Sequence, residues 1–97
     1  MTWCVKTITI QIGNSDDRLS QERWCFFVSD VEMAVLDVNC QVHFAGSPSA
    51  SARFQNAAWV ITLPDSKIPI LKEKIAVIRA KYLQDSAAWT EGETQFI

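Results

Sequence analysis

Residues 3–24, WCVKTITIQIGNSDDRLSQERW, change character once, and that change decides the fold. Over 3–12 the residues are β-branched and alternate: Ile8, Ile10 and Ile12 on one side, Thr7, Thr9 and Gln11 on the other. A period of two with one apolar face is a half-buried strand. Gly13 to Asp17 break it with turn formers. Ser20 is then a natural N-cap, Glu22 falls in the first turn where negative charge suits the helix dipole, and Leu19 and Trp24 take the staple positions. Trp24, Phe27, Val28, Val31, Val35 and Leu36 continue at helical spacing to about Asp37.

Working outward, NCQVHFA at 39–45 alternates again, with Cys40, Val42 and Phe44 on one side and Gln41 and His43 on the other. GSPSAS at 46–51 reads as a turn and ARFQNAAWVITL at 52–63 as a further strand, which makes a hairpin. Pro64, Asp65 and Ser66 end that strand and open a second helix, with Ser66 or Asp65 as cap and Pro69 tolerated in the first turn. Its apolar stripe is Ile68, Leu71, Ile75, Ile78 and Tyr82. Residues 87–97, AAWTEGETQFI, form a last strand weakened by Gly92. The order β-α-β-β-α-β is the split βαβ, ferredoxin-like pattern of the α+β class. Right-handed crossovers place both helices on one face of a four-stranded antiparallel sheet in the order 4-1-3-2. The alternative is another α+β sandwich with the same elements in a different strand order.

At 97 residues the chain is expected to form a single domain, 1–97, with 48% apolar and 21% charged residues, the composition of a globular protein. Nine basic and eleven acidic residues leave a net charge of −2 and a pI near 5.2, with no basic stripe. Nucleic-acid binding is therefore not expected. No apolar run is long enough to span a bilayer, and residues 1–13 lack a signal peptide's basic start and cleavage site, so no membrane partner and a cytoplasmic location are expected. Cys4, Cys25 and Cys40 are odd in number, lack metal-ligand spacing and sit among apolar neighbours, which points to unpaired thiols and no metal or other cofactor.

If β1 runs upward, the connections 13–19, 46–50 and 83–87 meet at one edge of the sheet. Asn14, Asp16, Asp17, Arg18 and Asp85 then converge from distant parts of the chain, a polar edge suited to a polar ligand. Taken alone, the local chemistry of 13–24 is fully explained by a turn and a helix cap; it is the convergence with Asp85 that points to a ligand. His43 is the single histidine, on the side away from the helices, beside Gln41 and near Arg53 on the facing strand. Nucleophile elbows, glycine-rich phosphate loops and metalloprotease motifs are absent. Trp3 shares the uncovered face with Val5, an apolar patch of the kind that marks an interface, while Trp59 and Trp89 are candidate walls of a ligand site.

Three stretches, IGNSDDRLSQERW, RFQNAAWVITLPD and KYLQDSAAWTEGETQFI, resemble segments of a group of small uncharacterised bacterial proteins. The group has no known activity, cofactor or site residue, so the resemblance implies a bacterial orphan and assigns no function. The reading from the residues is a self-associating binding protein, most simply a dimer, for a small polar molecule or a protein partner. Asn14, Asp16, Asp17, His43, Arg53 and Asp85 are the expected polar contacts. The alternative is a small enzyme with His43 as general acid/base, oriented by an aspartate of that edge.

Overall fold

A computed structural model describes residues 5–14, 18–48, 55–95 and 97. The elements follow in the order β1 (Val5–Gly13), α1 (Gln21–Asp37), β2 (Gln41–Gly46), β3 (Asn56–Pro64), α2 (Ile68–Lys81) and β4 (Ala88–Gly92). They form a four-stranded antiparallel sheet in the order β2-β3-β1-β4, the 4-1-3-2 arrangement expected from handedness. Both helices lie on one face, and the fold is the ferredoxin-like α+β sandwich.

The core is the contact layer between sheet and helices. Ile8, Ile10 and Ile12 of β1 and Ala57, Trp59, Ile61 and Leu63 of β3 turn to the helices, which answer with Phe27, Val31 and Val35 from α1 and Ile68, Leu71 and Ile75 from α2. Phe27 stacks on Tyr82 with ring centroids 5.1 Å apart and meets Trp24 edge-on at 6.0 Å, so aromatic contacts bridge the two helices. Ser20 caps α1 as expected: its Oγ accepts the Arg23 amide at 3.2 Å.

Several local expectations are corrected. Leu36 is 61% exposed and Cys25 is exposed, because each stands about 100° around the helix from its buried neighbours Val35 and Trp24. The second helix is not capped by Ser66 or Asp65; a 3₁₀ turn, Asp65–Lys67, leads into it without a side-chain cap. Its far end closes in a Schellman arrangement, with Leu83 at φ 60°, the Gln84 amide on the Arg79 carbonyl at 2.9 Å and the Leu83 amide on that of Ala80 at 3.1 Å. β4 stops at Gly92, and beyond it the Thr94 hydroxyl bonds that of Thr7.

The largest correction lies in β2. Its ladder on β3 pairs Gln41 with Thr62 and Val42 with Ile61, then resumes with Phe44 on Val60, Ala45 on Trp59 and Gly46 on Ala58. His43 is an extra residue, a β-bulge. Because facing alternates along a strand, one inserted residue transfers everything beyond it to the other face. Phe44 therefore leaves the helix side expected for it, lies 56% exposed, and sets its ring over Gly46.

Candidate functional site

The register brings the ends of β1, β2, β3 and β4 together as anticipated: Gly13 pairs with Asn56, Gly46 with Ala58, and Ala88 with Gln11. Asp85 is exposed in the connection that leads into this edge. Asp16, Asp17 and Arg53, together with Trp3, lie outside the described residues, and of Val5 only the backbone is described. Asn14 is buried at 2% exposure and turned inward. Its carboxamide donates to the Leu19 carbonyl at 3.0 Å and to Gln55 Oε1 at 2.9 Å, and accepts the Leu19 amide at 3.0 Å. Gln55 in turn donates to Gln21 at 2.5 Å, which ties β1, β3 and the start of α1 into one chain of amides. Asn14 thus has both donors spent on holding the loop. Gln55 and Gln21 were not legible as its partners, since nothing in the sequence links three residues on separate elements.

The uncovered face of the sheet carries Thr7, Thr9 and Gln11 from β1, Ala58, Val60 and Thr62 from β3, and Gln41 and Phe44 from β2. His43 joins them: its Nε2 is 2.5 Å from the Thr62 hydroxyl. Gln41, Thr62, Thr7 and Gly92 stand in one row across all four strands, and with His43, Val60, Thr94 and the charged Lys6 and Glu93 they line a shallow groove of about 850 Å³. The described part of this face is therefore hydroxyl- and amide-rich, with Phe44 and Val60 as its large apolar members and Ala58 and Ala88 as small ones.

Trp59 and Trp89 are on the other side. Ala45, Trp59, Ile10 and Trp89 form a single row beneath the helices. The two indoles are two strands apart, roughly 10 Å at the usual strand spacing, and they do not share a site with His43. Trp89 is half-buried, donates Nε1 to Glu91 at 3.0 Å, and has the Lys72 ammonium 5.2 Å from its ring centre. The Trp89 hydrogen bond, followed by that from Lys6, holds the Glu91 carboxyl below its ordinary range. This is a surface clasp between β4 and α2. Trp59 is 3% exposed, and its Nε1 is buried with no hydrogen-bond partner. Among the described residues, no group of three or more His, Cys, Asp or Glu is placed to hold a metal ion, and no helix is long and apolar enough to cross a membrane.

No family model and no curated protein matches the chain. Solved structures do. A designed protein, Foldit4, is 15% identical with a TM-score of 0.61 over 94% of this chain and 97% of its own. The C-terminal domain of the MgtC protein from Mycobacterium tuberculosis is 8% identical with a TM-score of 0.57, over 94% of this chain and 89% of that one. An unknown protein from Galdieria sulphuraria is 8% identical with a TM-score of 0.55, covering 94% of this chain. This chain spans about half the length of that protein (49%), as it does of the aspartokinase α and β subunit structure it also resembles (48%). The likeness is one of fold. Since a designed sequence shares it with natural ones, it carries no activity with it.

Proposed function

We propose that the chain is a binding module that works through the uncovered face of its sheet, holding a small polar molecule in the His43–Thr62 groove and self-associating so that two such grooves close into a cleft. The observation that supports this reading is the row of uncharged hydrogen-bonding groups, Gln41, Thr62 and Thr7, with His43 bonded to Thr62, on a face that no helix covers. The groove's volume lies within the range of small-molecule sites. A closed two-fold is the simplest way to cover such a face without forming fibres. The alternative of an enzyme has less behind it: the group that bonds His43 Nε2 is a hydroxyl, the carboxylate that lines the same groove, Glu93, follows β4 at the opposite edge of the sheet from β2, and Asp85 belongs to the loop edge, not to this row.

Sedimentation over a concentration series tests self-association, with Thr9→Lys placing a charge at the middle of the face. A wild-type dimer and a monomeric variant are expected; a wild type that is monomeric throughout overturns the reading. For the ligand, chemical-shift changes in a polar-solute screen should cluster on Thr7, Gln41, His43 and Thr62, and weaken in Thr62→Val. If His43→Ala instead removed a turnover by a hundredfold or so, general acid/base catalysis would replace binding as the function.

A further inference from the structure

We infer that the groove between the outer faces of α1 and α2 docks a basic amphipathic helix of a partner protein. It lies on the opposite side of the molecule from the His43 groove.

The two helices carry the same outward pattern. Phe26 and Met33 on α1, and Ile70 and Val77 on α2, are each more than half exposed, and the members of each pair are seven residues apart. Seven residues is two turns, so each helix presents an apolar stripe to water on the side away from its buried Val31 or Ile75. The outer side of a surface helix is ordinarily polar. The helices are antiparallel: Lys81 and Tyr82 meet Asp30, and Lys67 reaches Val38 at the other end. Met33 and Val77 therefore come side by side, and with Ala34 and Ile78 they line a groove of about 440 Å³. Single exposed apolar residues need no explanation, but two such stripes flanking one groove mark an interaction surface.

Length and spacing select a helix as the occupant. Counted along α1 and α2 from the level where Asp30 meets Lys81, Phe26 and Ile70 stand about 15 residues apart, roughly 22 Å at 1.5 Å per residue. A small molecule in the central groove would leave both ends bare, whereas a helix of about four turns spans all four anchors. Its own apolar residues, recurring every three to four positions, fall between the two stripes. A second copy seated here as well as on the sheet face would build an open-ended stack rather than a closed dimer, so the occupant is a different protein.

Charge sets the sign of that helix. Toward one end of the groove Asp30 is taken up by Lys81 and Tyr82. Toward the other, Asp37 and Glu73 stand with Lys74, two carboxylates to one ammonium, and among the described residues none of the three forms an ion pair. Lysine or arginine beside the apolar face of the incoming helix answers that excess, and an acidic helix meets repulsion. Exposed pairs of this kind add little affinity, so they choose the partner while the apolar anchors hold it.

Two synthetic helical peptides serve as probes, alike in their leucine face, one with lysine and the other with glutamate on the polar face. In methyl and amide correlation spectra of the intact chain, the leucine–lysine peptide should shift Met33, Ala34, Val77 and Ile78 saturably. It should bind about tenfold tighter than the leucine–glutamate peptide. Met33→Ser combined with Val77→Ser, a neutral change at two exposed positions, should weaken it about tenfold and leave circular dichroism and sedimentation unchanged. Asp37→Lys combined with Glu73→Lys should turn the preference toward the leucine–glutamate peptide. Equal binding of the two peptides by the wild type overturns the basic partner. Shifts outside the groove, or an affinity that the serine variant leaves unmoved, overturn the site. If the serine variant instead lost self-association, a second copy would be the occupant and the inference would fall.

Discussion

Replacing Asn14 by alanine tests whether this residue holds the β1–α1 loop or waits for a ligand. The substitution removes an acceptor from the Leu19 amide and a donor from the Leu19 carbonyl, both at 3.0 Å, in a residue that is only 6% exposed. Gln55 also loses its partner, but its half-buried side chain can turn to water at little cost. Each stranded buried group costs about 1–3 kcal/mol. Two of them, taken toward the lower end, destabilise the domain by about 2–4 kcal/mol, which lowers Tm by roughly 4–8 °C per kcal/mol in a chain of this size. Urea unfolding followed by circular dichroism should show a lower midpoint with an unchanged slope, and calorimetry the matching fall in Tm. Asp85→Ala, at an exposed position of the same edge, should stay within about 0.5 kcal/mol of wild type. Were Asn14→Ala as stable as wild type, the loop would not depend on these bonds, and Asn14 would return to the list of groups free to meet a ligand.

Lys67 Nζ donates to the Val38 carbonyl at 2.7 Å, at the C-terminal cap of α1, so Lys67→Met should cost about 1 kcal/mol and speed amide exchange in the last turn of α1; unchanged exchange there would refute the capping role. The Tyr82 hydroxyl at 2.6 Å, and then Lys81 at 3.1 Å, hold the Asp30 carboxyl below its ordinary value of 3.8. A carboxyl depressed in the folded state adds stability that is full above its unfolded value and is lost as pH falls through the folded one. Tyr82→Phe should therefore raise the Asp30 titration midpoint seen by NMR and flatten the acid limb of the stability curve; an unmoved midpoint would contradict this. Leu83 is 70% exposed with φ 60°, so Leu83→Gly should stabilise the domain by a few tenths to about 1 kcal/mol, relief of the left-handed strain outweighing glycine's added freedom when unfolded. A loss of stability would show that Leu83 makes contacts worth more than that strain.

Local periodicity was enough to identify the elements. Ile8, Ile10 and Ile12 at a spacing of two, and Phe27, Val31 and Val35 at a spacing of about four, each declare which face is buried, because burial of apolar surface selects the secondary structure whose period matches. Ser20 announced its helix for the same local reason, a side-chain oxygen within reach of the Arg23 amide. Handedness of the crossovers then ordered the strands without further information. The sites were another matter. Asn14 looked like a loop residue turned to solvent, yet its partners are Leu19 and, across the edge, Gln55. Trp59 and His43, grouped by chemistry as members of one site, stand on opposite faces. The facing of β2 shows the cause most plainly. Within NCQVHFA every position alternates, and nothing local marks His43 as an insertion. The bulge exists only in the pairing of β2 with β3, where two residues meet one, and that pairing decides whether Phe44 stands opposite Trp59 on the helix side or opposite Val60 on the uncovered face. Period is a property of one strand. Register is a property of two, so the faces of β2 were settled only when the sheet assembled.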